Sequence, residues 1–320
     1  MKQIQVGIIG CGGIAYSHCR QLVELNEVRI AAVVDPVVDN RNKLCSSFKL
    51  EDVNHYESIS LMFKELRLDA VVICSPHTLH FEQAVESLHN GCHVLIEKPM
   101  TCTYHDAENL IDIAEKNRKI LQVSYQRHFE PAFLYMKETI SSGAIGRLNT
   151  VTTSLYQDWK QLSAGTWRQS PQLSGGGMLM DSGSHIIDTL LWITGLSPVE
   201  INTQLEMYDA PVEIDSFSTV RFEQNVIAGL NVIGNAPCWH ETYVVTGEKG
   251  ALFFENGKIL LRKSGEAPLV PELPLQTTNQ DKSFIDAIFE RHEVKVPGEF
   301  AKKVVRLTEM AYQSAGYQPT

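Results

Sequence analysis

No stretch of this 320-residue chain approaches the roughly 18 consecutive apolar residues that a membrane span needs. Positive charge is scarce as well: 28 lysines and arginines against 38 aspartates and glutamates leave a net charge of −10 and a pI near 5.6. A nucleic-acid surface needs clustered Lys and Arg against phosphates, so that class of partner is disfavoured. Small anionic substrates stay open, because a local pocket can be basic inside an acidic protein. Cysteine pairing is missing too. The seven cysteines (Cys11, Cys19, Cys45, Cys74, Cys92, Cys102 and Cys238) are odd in number and lack Cys-x-x-Cys spacing. Buried free thiols in a reducing compartment fit better than a disulfide frame or a zinc knuckle. Internal repeats and low-complexity segments are absent. The opening Met1-Lys2-Gln3-Ile4-Gln5-Val6 reads as a strand, too short and too polar for a signal peptide. The expected location is cytoplasmic, with no membrane partner.

What is present is ordinary globular chemistry, 43% hydrophobic and 21% charged, long enough for one very large domain or two ordinary ones. Up to residue 123, short β-branched runs (6–9, 28–34, 70–74, 94–96, 120–123) alternate with helical patterns (14–25, 41–48, 59–65, 79–89, 105–116). That rhythm predicts a doubly wound parallel sheet with its strand ends along one rim. After residue 123 the rhythm changes. A polar, aromatic connector and a helix ending near 143 lead to β-rich runs at 150–156, 199–207, 216–222, 226–232, 242–246 and 251–254. Residues 264–281 carry three prolines and read as an exposed loop or ragged edge strand, and two helices, 284–291 and 300–316, close the chain. The division is therefore an N-terminal domain over 1–123 and a second over 124–320, with the terminal helix able to pack back on the first.

Gly10-x-Gly12-x-x-Ala15 follows a strand and opens a helix, the context that a dinucleotide fingerprint requires. Gly10 permits the tight turn, Gly12 lets the backbone approach a pyrophosphate, and Ala15 allows close helix–strand packing, with Gly13 and Ile14 between them. The helix start supplies N–H groups and a partial positive charge. Asp35 ends the next strand, where a carboxylate accepts hydrogen bonds from an adenosine ribose diol and repels a 2′-phosphate. NAD is thereby favoured over NADP. Arg41 reads as a solvated arginine at a helix start, with rescue of a 2′-phosphate as the alternative.

Glu97-Lys98-Pro99 ends a buried-looking strand, so the Lys98 amine can accept a proton or hydrogen-bond a substrate oxygen there. Asp181 and His185 are four residues apart, which on a helix starting near Gly183 puts them on one face, with Asp188 continuing it. Histidine titrates near working pH and can take a hydroxyl proton as hydride leaves, while Asp181 can hold the hydroxyl or orient the imidazole. Asp188 reads as a structural, orienting group. Metal ligation has little support, since no third histidine or cysteine joins His185 and Asp181 at ligand spacing.

With these residues the chain resembles the Gfo/Idh/MocA oxidoreductase family. The resemblance runs from Gly10–Ala15 through Ser75-Pro76-His77-Thr78-Leu79-His80, Glu97-Lys98-Pro99, Trp167-Arg168 and Gly175–Asp188 to Thr246-Gly247-Glu248-Lys249-Gly250. It implies an α/β protein: an N-terminal Rossmann doubly wound parallel sheet plus a C-terminal α+β domain with a large open, mostly antiparallel sheet. It further implies a cis Lys98–Pro99 bond, and that Ser75, Pro76, His77 and His80 run under the nicotinamide ribose with Glu97 contacting it; His80, on an apparent helix, reads equally as a capping or core residue. Trp167 and Arg168 become substrate-side residues, and Tyr156 a substrate-binding candidate beside the weaker Trp159, Lys160, Trp239 and His240. Nothing specific carries over to Gln126-Arg127-His128. The expected activity is NAD(P)-dependent hydride transfer between a secondary alcohol of a sugar, cyclitol or sugar derivative and nicotinamide. His185, assisted by Lys98, removes the proton, and Asp181 fixes the oxygen that becomes a ketone. The alternatives are an NAD-dependent glycosidase working by transient oxidation and elimination, and a non-catalytic ligand sensor. A homo-oligomer, dimer or tetramer, follows from the resemblance alone.

Overall fold

In the computed structural model, which describes residues 3–319, the β-branched runs of the first part lie side by side in one six-stranded parallel sheet. Its strands are β1 (Ile4–Ile9), β2 (Val28–Val34), β3 (Asn54–Tyr56), β4 (Ala70–Ile73), β5 (His93–Ile96) and β6 (Leu121–Val123), in the spatial order β3-β2-β1-β4-β5-β6. Helices α1 (Gly13–Leu22), α2 (Val38–Phe48), α3 (Ile59–Glu65), α4 (His80–His89) and α5 (Tyr104–Lys116) make the crossovers. β4 is buried along its whole length, as a strand covered on both faces must be. Strand order reverses between β1 and β4, so the turns after β1, β4 and β5 open on one rim at the place where such sheets bind ligands. β3 escaped the sequence reading because three residues, two of them exposed, carry no periodicity.

The second sheet has seven strands. After α6 (Pro131–Ser141) come β7 (Leu148–Tyr156), the short helices α7 (Trp159–Leu162) and α8 (Pro171–Ser174), then α9 (Gly183–Thr194). β8 (Pro198–Glu206), β9 (Asp215–Phe222), β10 (Ile227–Ile233), β11 (His240–Gly247), β12 (Gly250–Glu255) and β13 (Lys258–Lys263) complete it, in the order β13-β12-β11-β7-β10-β9-β8. Every pairing is antiparallel except β10 with β7. Burial alternates along β9 from Ser216 onward, the signature of a sheet with one covered and one open face. Helix α9 packs against β7 and β10. β13 is an element the sequence reading did not separate from the following loop.

By contact pattern the chain forms two compact units. The first holds the residues up to Tyr125 together with Thr278–Lys302; the second holds Gln126–Thr277 and the residues from Lys303 on. The contiguous division at 123/124 therefore differs from the structure by one returning segment. Its helix α10 (Gln280–Ile288) starts under an Asn279 cap that accepts from the Lys282 amide at 2.8 Å. That places Asp281 in a helix rather than in the proline-bearing loop. The division also falls inside the last helix, α11 (Gly298–Ser314). The returning segment covers the open edge of β6: the Val123 amide donates to Val296 at 3.0 Å, and the Gln122 side chain to the Gln280 carbonyl at 2.8 Å. An edge strand left bare would be a template for unwanted pairing.

Five of the seven thiols are buried and all seven are free, and no described helix is long and apolar enough to cross a membrane. Phe284 of α10 sits fully buried among Val6, Ile8, Leu22 and Leu95 of the first core. Phe284→Ala should cost about 3–5 kcal/mol in urea unfolding. A loss under about 0.5 kcal/mol, typical of a surface change, would show that the segment does not belong to that core.

Candidate active site

Gly10 leaves β1 with φ at +87°, and a Cβ there would lie 2.7 Å from the backbone of Cys74 and Ser75; only glycine lets the turn pass. Gly12 and Gly13 are the opposite case, because a Cβ on either meets nothing within 4 Å. They and Ile14 face outward, while Ala15 is fully buried against the sheet. Helix α1 starts with neither a side-chain cap nor an acid in its first turn, whereas Ser58, Thr103 and Asn279 cap α3, α5 and α10. Its N–H groups and positive end are thus left for an anion. Asp35, just past β2, accepts from the Cys11 amide at 2.9 Å, the Val37 amide at 2.8 Å and the Asn40 side chain at 3.2 Å. These residues fit a dinucleotide, with an open helix start for its pyrophosphate and a carboxylate placed for a ribose. Arg41 departs from the solvated arginine expected: it is buried, and its guanidinium donates to the Asp35 carbonyl oxygen. That carbonyl lies beyond the end of the sheet ladder and takes the cation as its partner.

Farther along the same rim, the Ser75 hydroxyl donates to Gln83 at 2.6 Å, Pro76 is half-buried and His77 is buried. His80 is fully enclosed, with Nδ1 2.8 Å from the Pro99 carbonyl oxygen and Nε2 2.9 Å from that of Ser75. Burial lowers its pKa, and the ring ties the turn after β4 to the turn after β5. Of the two readings open for His80, these contacts match the core role, a clasp on the backbone of both turns. The Lys98–Pro99 bond is cis, as the resemblance implied, and Lys98 is half-buried.

In the second unit, Asp181 is buried in the turn ahead of α9, so it does not share a helical face with His185. The Asp181 amide donates to Gly177 at 3.0 Å and the Gly183 amide to Met178 at 2.8 Å, a fold-back that ends before the helix begins. Asp181 Oδ2 accepts from Trp159 Nε1 at 2.8 Å and from Arg168 Nε at 2.9 Å. The Arg168 guanidinium lies over the Trp167 ring, 4.5 Å from its centroid. The structure thus gathers Trp159, Trp167, Arg168 and Asp181. Tyr156 ends β7, partly exposed and 6.0 Å from the His240 ring, and His185 is half-buried in the first turn of α9. Asp188 accepts from His128 Nε2 at 2.8 Å, and that imidazole stacks on Trp192 at 4.0 Å, which is the structural use expected of it.

Three buried acids and bases lay outside the sequence reading. Glu213 accepts from the Gly177 amide at 2.7 Å to each oxygen, from the Leu179 amide at 3.1 Å and from the Tyr312 hydroxyl at 2.7 Å. It anchors the triple-glycine turn from behind, and a Cβ on Gly177 would run into the Glu213 carbonyl oxygen. His18 Nε2 is 3.0 Å from Glu97 Oε1, and its Nδ1 is 2.8 and 3.0 Å from the two Asp281 oxygens. Burial opposes charge on that ring, but the two carboxylates outweigh it and hold the His18 pKa up at about 10. Burial would likewise raise Glu97, yet the His18 hydrogen bond and charge pull it below the ordinary carboxylate range. His18 falls five residues into α1, and only its helical phase pointed inward. With a folded pKa above the unfolded 6.5, the imidazolium contributes stability that is complete below about pH 6.5 and lost as pH climbs through about 10. The thermal midpoint should fall across that window in wild type and fall less in His18→Gln. Equal alkaline slopes in the two would contradict this.

The same chain was compared with known proteins. A family model described as "Oxidoreductase family, NAD-binding Rossmann fold" matches residues 4–125, and the "GFO/IDH/MocA C-terminal domain" matches residues 133–253. The rhizopine catabolism protein MocA of Rhizobium meliloti is 27% identical over 268 residues, spanning 79% of this chain and 80% of that protein. The scyllo-inositol 2-dehydrogenase (NADP(+)) IolW of Bacillus subtilis is 30% identical over 195 residues, 60% of this chain and 52% of its own length. The chain thus spans about half the length of some of its curated relatives. The crystal structure of the WlbA dehydrogenase from Bordetella pertussis, in complex with NADH and UDP-GlcNAcA, superposes with a TM-score of 0.85 at 20% identity, covering 98% of this chain and 97% of that one. With both parts matched in order, the chain belongs to the Gfo/Idh/MocA family of oxidoreductases, and residues 4–125 are its NAD-binding Rossmann fold.

Proposed function

We propose that the protein is an NAD-dependent dehydrogenase or reductase acting on a secondary alcohol of a sugar, cyclitol or sugar derivative. The observation that carries this reading is the rim of the parallel sheet. The uncapped start of α1 follows β1, and Lys98 follows β5, with β4 alone between those strands. Two strand spacings amount to roughly 10 Å, a span suited to a dinucleotide lying along the rim from its pyrophosphate toward Lys98. A bound nicotinamide supplies the hydride acceptor, or in reverse the donor. His185 takes the hydroxyl proton in oxidation and returns it in reduction, and Lys98 assists as a hydrogen-bond donor to the substrate. Asp181 orients that hydroxyl, and Trp159 and Arg168 keep its carboxylate from swinging. Trp167, Arg168 and Tyr156 contact the rest of the substrate.

Asp35 supports NAD as the preferred cofactor. A carboxylate at the end of β2 would repel a 2′-phosphate, and Arg41, bonded to the Asp35 carbonyl, is not presented as a phosphate clamp. Assembly as a homo-oligomer belongs to the same proposal. It is supported by apolar side chains on the open face of the second sheet, among them Phe217, Ile227 and Phe253.

A panel of polyols, inositols, aldoses and glycosides with NAD and NADP, read by absorbance of the reduced cofactor, tests this. Turnover with NAD is expected on at least one polyol or sugar. Glycoside cleavage without net reduced cofactor would replace the dehydrogenase by the eliminating glycosidase. His185→Ala should lower kcat about 10²–10⁴-fold while NADH binding in calorimetry is retained; a loss within about threefold removes the base role. Asp35→Ser should narrow the preference for NAD over NADP, and a wild type served only by NADP overturns the cofactor assignment.

A further inference from the structure

The cluster of His18, Glu97 and Asp281 is a costly thing to build into a protein core. His18 and Asp281 are fully buried, and the Glu97 side chain is 10% exposed. A neutral imidazole has one N–H, so it could donate to only one of its two carboxylate neighbours and would turn a lone pair on the other. Both contacts are met together only by the imidazolium. Replacing a buried ion cluster with packed apolar groups is often neutral or stabilising, whereas removing one member is costly. Stability alone therefore does not explain the arrangement. Nor does proton shuttling, since the far end of the chain of contacts, Asp281, is enclosed.

Its position supplies the explanation. His18 lies on α1, one turn and a half behind the glycine cradle. Glu97 immediately precedes Lys98, and its second oxygen accepts from the Lys98 backbone amide at 3.2 Å. Asp281 comes from the returning helix α10. We infer that His18 is a positioning residue: its imidazolium, braced by Asp281, clamps Glu97 and thereby holds Lys98 in fixed register with the cofactor cradle. Glu97, kept as a carboxylate, also presents negative charge beside the Lys98 amine. The other titratable groups facing the cluster are Lys98, whose charge favours the Glu97 carboxylate, and His80 and the thiols of Cys19 and Cys74, in all three of which burial disfavours the charged form.

The role assigned to Lys98 rests on the proposed function, so the test has arms that need no substrate. In the full-length chain with ¹⁵N-labelled histidine, both His18 ring nitrogens should stay protonated past about pH 9, since the group titrates near 10. A ring neutral at pH 8 overturns the clamp whatever the enzyme acts on. In His18→Gln the Lys98 amide resonance should move, and an unmoved resonance counts equally against the inference. For activity, His18→Gln should lower kcat about tenfold to a hundredfold with KM for the alcohol little changed, and Asp281→Asn should lower it less. The double variant His18→Gln/Asp281→Asn removes one of the two buried carboxylate charges that His18→Gln leaves uncompensated. Recovered stability with kcat still depressed is the expected signature of positioning, whereas kcat recovering together with stability reduces the cluster to a structural role. Should His18→Gln fail to fold, the ring titration and Asp281→Asn still decide. If no alcohol is turned over, the functional reading fails while the resonance arms continue to judge the clamp.

Discussion

A carboxylate taken out of water has to be met by donors, and this protein uses that requirement to hold its turns. Glu97 is met by His18 and by the amide of the residue that follows it. Glu213 is met by the amides of Gly177 and Leu179 and by the Tyr312 hydroxyl. Asp188 is met by His128. Each acid sits behind a segment that holds a candidate site residue: the Lys98 turn, the triple-glycine turn ahead of Asp181, and the start of α9 with His185. Backbone in a turn has no ladder to fix it, so a buried side chain that satisfies its amides does what a sheet neighbour does elsewhere. Were any of these acids left without donors, the desolvation cost would fall on the segment it holds.

The cradle follows the reverse logic. There the chain withholds its own partners: α1 has no side-chain cap, no acid in its first turn, and open space over Gly12 and Gly13. Three other helices are capped by Ser, Thr or Asn in the usual way. An uncapped helix start that lies at the strand-order reversal is arranged for an anionic guest. Asp181 combines both devices. It is held by an indole N–H and a guanidinium, and that guanidinium is itself seated on Trp167.

Much of this was legible before any coordinates. The six parallel strands came through except β3, because buried parallel strands read as continuous β-branched runs, while a three-residue edge strand leaves no pattern. The cradle glycines, Asp35, Glu97-Lys98-Pro99 and the Asp181–His185 segment were all visible as motifs. His80 was visible too, with a ribose contact and a core role left open between them. Whether a histidine touches a ligand or two carbonyls depends on what packs over it, and that information is not local. Arg41 misled for the same reason.

By itself the sequence determined the alternation of elements, the two sheets of different class, and the side chains capable of hydride-transfer chemistry. Periodicity and glycine spacing are consequences of backbone geometry over a few residues, which any short window reports. Only the tertiary structure decided that Thr278–Lys302 returns to the first unit, that Asp281 reaches His18, and that Glu213 stands behind Gly177. Those partners are 263 and 36 residues apart, and at such separations the pairing is chosen by the packing of whole layers rather than by anything the intervening residues encode locally.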